Sequence, residues 1–187
     1  MRPHGSSPSM TRARSPPVDL PRELLAYNRA VFDRFVRRLS RLPWKEVTRN
    51  REIGHETLFR TLVHILNVHE VWLVYIVPGR NSELGALFDD EDRHPTSWKT
   101  FRTYAERVWN GVDAVVRGLS ERDLARPVKA PWMPGRYTVR DALFQTTIEQ
   151  AHHLGEVIGA LWQDDLASPE MTWIRVRSDS ATRRRRR

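Results

Sequence analysis

The sequence predicts an all-α chain, a four-helix bundle with long loops between helices 1–2, 2–3 and 3–4. Three observations carry this expectation. Four long segments place apolar residues three and four apart. Proline-rich or acidic stretches separate those segments. No run sustains the apolar–polar alternation of a half-buried strand, so little or no sheet is expected.

Helix 1 takes Asp19 as its N-cap, with Pro21 in the first turn. Leu24, Tyr27, Val31, Phe35, Leu39 and Leu42 follow at helical spacing, and Pro43-Trp44 ends the run. Helix 2 spans residues 56–77 and stops before Pro78-Gly79. Its apolar residues, from Leu58 and Leu62 to Trp72, Leu73 and Ile76, form a band wide enough to imply burial on more than one side. The acidic segment from Pro78 to Pro95, centred on Asp89-Asp90-Glu91-Asp92, reads as a solvated loop. It lacks the alternating ligand spacing of a calcium loop. Helix 3 starts with Thr96 or Ser97 as cap, and its seam is the cleanest in the chain: Trp98, Phe101, Ala105, Val108, Val112, Val115 and Leu119. A loop with three prolines leads to helix 4, which begins at Thr138 with Asp141 three residues on, a variant of the capping box, and runs to Trp162. Ser168 to Ile174 reads as a short closing turn. The openings Gly54–Leu58 and Gly135–Val139 echo each other faintly, a hint of pseudo-symmetry between helices 2 and 4.

A length of 187 residues fits one domain with tails: a disordered N-terminal tail over 1–18, a bundle over 19–174, and a disordered Arg-rich tail over 175–187. The net charge of +8 lies in the tails. Residues 1–18 hold three Arg and no acid, and residues 175–187 hold seven Arg and one acid. Residues 19–174 hold 21 basic and 22 acidic residues and are close to neutral. No specific nucleic-acid partner is therefore expected, and the tail would meet polyanions only through general phosphate attraction. No stretch approaches the roughly 20 apolar residues of a membrane span. The first residues lack a secretory signal's apolar run, so the expectation is a cytoplasmic protein with no membrane partner. There is no cysteine, which excludes disulfides, Cys-ligated zinc and a thiol nucleophile from the protein itself.

Five of the seven histidines, His55, His64, His69, His152 and His153, lie in or at the ends of helices 2 and 4. The inward stripe of helix 4 reads Val139, Ala142, Thr146, Glu149, His153, Val157 and Ala160. Glu149 and His153 are thus one turn apart on one face and can reach one ion. Without a partner, either group would cost several kcal/mol to bury. Mutual pairing as a core network would remove that cost as well as a metal would. Helix 2 offers His64 and His69, five apart, of which one can join helix 4. Spacing slightly favours His69, in register with Leu58, Leu62, Ile65, Trp72 and Ile76. Gly155 and Gly159 form a small-xxx-small pair that would let helix 4 approach another backbone. Neither a phosphate-cradling glycine loop nor a nucleophile elbow is present.

Several segments together carry a family likeness: Tyr27-Asn28 followed by Phe32 and Phe35, Thr61-Leu62-Val63-His64-Ile65 with Trp72-Leu73 beyond it, and Glu149-Gln150-Ala151-His152-His153-Leu154-Gly155-Glu156. Over residues 20–174 the chain resembles the DinB/YfiT-like superfamily of metal-binding four-helix bundles. The last segment is similar to that family's His-x-x-His-His-Arg-Gly-Gln signature. The resemblance implies an up-down-down-up bundle, often a homodimer, with a divalent metal ion (zinc, nickel or manganese) on three ligands. Carried over residue by residue, those ligands fall on His64, Glu149 and His153, which sets His64 above His69. Glutamate stands where the family has histidine, giving a two-His, one-carboxylate set. Leu154 and Glu156 depart from the family's Arg and Gln. Some relatives are thiol-dependent transferases or isomerases. The expected function is accordingly a metal-dependent enzyme of thiol-dependent transferase or hydrolase type, acting on a small molecule with a low-molecular-weight thiol as cosubstrate. The competing expectation is a non-catalytic helical bundle whose Glu/His cluster is a satisfied core network.

Overall fold

The computed structural model describes residues 20–178. The Asp19 cap, the 1–18 tail and all of the Arg-rich tail beyond Ser178 lie outside the described residues. The architecture is all-α. Four long helices form it: α1 (Leu20–Leu39), α3 (Leu58–His69, extended by a π-helical stretch Glu70–Ile76), α5 (Trp98–Gly118) and α6 (Val139–Gln163). Two short helices, α2 (Trp44–Thr48) and α4 (Leu84–Phe88), lie in the connections. The sheet is minimal: β1 (Pro127–Val128) pairs antiparallel with β2 (Tyr137–Thr138) just before α6.

α3 packs against α6 and α5, and α1 against the same two helices, so the ring runs α1–α6–α3–α5. Helices α1 and α3 lie across the ring from each other, as do α5 and α6, and that separation accounts for the long connections. Apolar burial closes the ring. Phe32, Phe35 and Leu39 of α1 meet Leu58, Leu62 and Leu66 of α3, Phe101 and Val108 of α5, and Leu154, Val157 and Leu161 of α6 in one core. The helix-4 stripe read from spacing faces inward throughout, with Glu149 its one half-buried member.

Four features differ from the expectation. The helix-2 segment starts at Leu58 because the Thr57 side chain accepts from the Arg60 backbone N–H and caps it there. Beyond His69 its turns widen: the Val77 N–H reaches back five residues to the Trp72 carbonyl. Successive residues Glu70 to Leu73 are all buried in this stretch. The acidic connection is not a bare solvated loop. Leu84 and Leu87 anchor α4 in the core, and Arg93 is buried on Glu70. The fold also extends past 174. Residues 173–178 are helical, Val176 is buried, and Arg177 pairs with Glu23 of α1.

Candidate metal centre and cleft

Helix α6 starts where its cap dictates. The Asp141 N–H donates to the Thr138 hydroxyl, and the Thr138 N–H donates back to the Asp141 carboxylate. From that start, Glu149 and His153 fall on the inward face, toward α3. His64, on the facing side of α3, brings its ring to 4.6 Å from that of His153, centroid to centroid. Glu149 Oε2 lies 3.1 Å from His153 Nε2. Glu149 and His64 thus each approach His153, but Glu149 is not among the groups of ligand atoms that all lie within 4.8 Å of one another.

A fourth group joins them. His55, in the loop before α3, stacks on His64 with centroids 3.7 Å apart and lies 4.8 Å from the His153 ring. The ligand nitrogens of His55, His64 and His153 all lie within 4.8 Å of one another. A second possible group, His152, His153 and Glu156, shares His153 but rests on the exposed His152.

The other face of His153 is held by Glu156, whose Oε2 is 2.8 Å from Nδ1. Burial opposes ionisation of Glu156, but the His153 hydrogen bond, the nearby imidazoles and the Gly54 N–H outweigh it and hold the carboxyl below its usual range. Gly54 leaves room for that approach. A Cβ there would sit 3.0 Å from Glu156 Oε1.

These contacts fit a cation. A neutral imidazole has one N–H, so one ring proton can serve only one of the two flanking carboxylates. If Glu156 accepts from Nδ1, then Nε2 presents a lone pair beside the Glu149 carboxylate, a contact favourable only with a positive charge between them. Burial, reinforced by His55 and His153, pushes His64 down to about 4. Burial and His153 lower His55 as well. Both rings are therefore neutral near pH 7, the form that ligates metals. The donor set thus suits a divalent ion of nitrogen-preferring type.

His69, which spacing slightly preferred, is not in this group. It is fully buried against Trp109, donates from Nδ1 to the Ile65 carbonyl, and is pushed by burial to about 4. Its periodicity reported burial correctly, and burial made it a core residue. His55 and Glu156 are the site residues that spacing did not single out. His55 sits in an irregular loop where periodicity says nothing. Glu156 was visible only as a departure from the signature.

The site opens into a cleft of about 500 Å³. His64 and Glu149 line it together with Trp72, Trp132, Phe88 and Arg93. Among the described residues no helix is long and apolar enough to cross a membrane.

The family model described as DinB superfamily matches residues 26–157, more than half of the chain. No curated protein matches the chain.

Proposed function

The chain belongs to the DinB superfamily, and on that footing we propose that it is a metal-dependent enzyme of thiol-dependent transferase or hydrolase type. The observation that carries this reading is a cluster of imidazoles and carboxylates, of which His64 and Glu149 line an aromatic-walled cleft. His64 and His153 would hold the ion with Glu149, as the family pattern implies, and His55 adds a nitrogen from the loop. Zinc, nickel and manganese are the candidate ions. When bound, such an ion supplies Lewis-acid polarisation and lowers the pKa of a group it coordinates.

The chain's own residues supply the rest. Glu156 fixes the His153 ring through Nδ1 and leaves Nε2 facing Glu149. Gln145 donates to Glu149 Oε1 at 2.9 Å, orienting the carboxylate on the cleft wall. Trp72 and Trp132, rings 6.2 Å apart, present apolar surface that excludes water from a bound molecule. With no cysteine in the chain, a thiol nucleophile must come as a cosubstrate. Incubating metal-loaded protein with small thiols and alkyl or aryl electrophiles should give conjugation or hydrolysis that a chelator abolishes. No turnover with any pair, or turnover unaffected by chelation, contradicts the reading.

The same contacts favour a second reading, because His153 between Glu149 and Glu156 is also a self-contained network if the ring is protonated. A non-catalytic bundle of that kind would show the same thermal stability with and without divalent ions. A homodimer is part of the proposal. α6 exposes Phe144, Ile148 and Trp162 on one face, and nothing lies within 4 Å of a Cβ placed at Gly155 or Gly159 between them. Bulky residues at both ends with small ones between are complementary to an antiparallel second copy of themselves.

A further inference from the structure

Arg93 is the charged residue of the cleft that the metal reading leaves without a task. It comes from the acidic connection, closes a short 3₁₀ turn (Glu91–Arg93), and is 5 % exposed. Its Nε donates to Glu70 Oε2 at 3.0 Å, while Nη1 reaches the Leu87 carbonyl only at 3.5 Å, the edge of a hydrogen bond. A guanidinium carries five N–H donors in a planar fork; Glu70, the Leu87 carbonyl and the neighbouring Tyr104 hydroxyl do not use them all, and Arg93 lines the cleft. Glu70 does not depend on Arg93 alone. The Tyr104 hydroxyl donates to it at 2.8 Å, and Arg107 stands 3.4 Å from its other oxygen while pairing with Asp90 at 2.8 Å. A second carboxylate could therefore share Arg93 without stranding Glu70. The Phe88 ring, 5.4 Å from the guanidinium carbon, helps hold the fork in place.

Position follows from the helix. Glu70, Arg93's partner, is six residues beyond His64, a rise of about 9 Å and about two-thirds of a turn round the helix, yet His64 and Arg93 line the same cleft. The interval is walled by Val68, Val71, Trp72 and Trp132. A positive fork at one end, an apolar slot, and the His64/Glu149 cluster at the other describe a ligand with an anion at one end and its reacting group at the other.

We propose that Arg93 recognises a carboxylate of the substrate, and that the substrate class is a carboxylate attached to a single aromatic ring or a short aliphatic chain. The inference rests on the reading of this cleft as the substrate site. Arginine matches a carboxylate with two parallel N–H bonds, and in a poorly solvated site such bonds are strong.

The test compares 3-phenylpropionate with 3-phenylpropanamide, which has the same shape and no charge, by ligand-observed NMR at millimolar concentration. Both are titrated into chelator-stripped and zinc-loaded protein. The acid should bind at least about tenfold more tightly than the amide in both forms, as expected for a charged hydrogen bond. Arg93→Lys, which keeps a cation beside Glu70, should erase most of that preference. Trp132→Ala should weaken both probes alike. Equal binding of acid and amide, no binding of either, or an undiminished preference in Arg93→Lys overturns the proposal. A preference seen only in zinc-loaded protein also overturns it, because the ion then holds the carboxylate while the metal reading stands. Should zinc fail to bind and the preference persist in the stripped protein, the metal reading fails and Arg93's role holds. The wild-type comparison decides even if the Arg93 variant does not fold.

Discussion

Two histidines on one helix, His64 and His69, meet opposite environments. Both are pushed by burial to about 4. His64 opens to a cleft and faces His55 and His153, whereas His69 is sealed against Trp109. Spacing put His69 slightly ahead, because apolar register reports burial and does not distinguish a core position from a ligand. His69 instead sets a pH dependence of stability. Its folded value lies below the ordinary 6.5, so the unfolded chain takes up a proton as pH falls past about 6.5 while the native state refuses it until about 4. Stability is full above that window and is lost as pH falls through it, by about 3 kcal/mol. Urea denaturation of metal-stripped protein from pH 7 to pH 4 should show this loss, and His69→Leu should show distinctly less of it. An unchanged slope in the variant would contradict this assignment. Glu156 is the other informative residue. A hydrogen-bond partner behind a metal-ligating histidine is commonly worth 10- to 100-fold in metal affinity. Glu156→Gln should weaken divalent-ion binding by that order, read by competition with a chromogenic chelator, while leaving the helical circular dichroism intact.

At the scale of elements, periodicity revealed what is long and repetitive. Helices α1, α5 and α6 follow their seams because each buries one stripe, the bulk of α3 follows its wide band because it is buried on more than one side, and Thr138 and Asp141 cap α6 as their spacing implied. Removing that cap with Thr138→Ala should cost about 1 kcal/mol in chemical denaturation. A loss below a few tenths would show that β1–β2 pairing, not the cap, sets the start of the helix. The short helices α2 and α4 were not legible, since five residues are too few to display a period. The π-helical stretch was not legible either, because a 3.6-residue pattern gives no sign of a turn that widens. Its consequence matters for the site: Glu70, at its start, is buried and draws Arg93 out of the acidic connection into the cleft. His55 escaped for the related reason that a loop places its side chains by closure and local contacts, here beside Gly54 and Glu156, and not by repeat.

For the whole molecule, the ring order α1–α6–α3–α5 sets α3 and α6 side by side. The histidine cluster therefore sits between a helix, a loop and a second helix far apart in sequence, so its integrity reports on the complete fold. The exposed apolar face of α6 belongs to this scale too. Gly155→Arg should convert a dimer to a monomer in light scattering without loss of helix content; a wild-type monomer would contradict the proposed pairing. His64, Glu149 and His153, with His55, are proposed to hold a divalent ion in this DinB-superfamily bundle. Elemental analysis of protein purified without chelator tests it most directly. About one divalent ion per chain is expected in the wild type, with that ion lost in His153→Ala. Wild-type protein that is metal-free, and still empty after zinc, nickel or manganese is added, would contradict it.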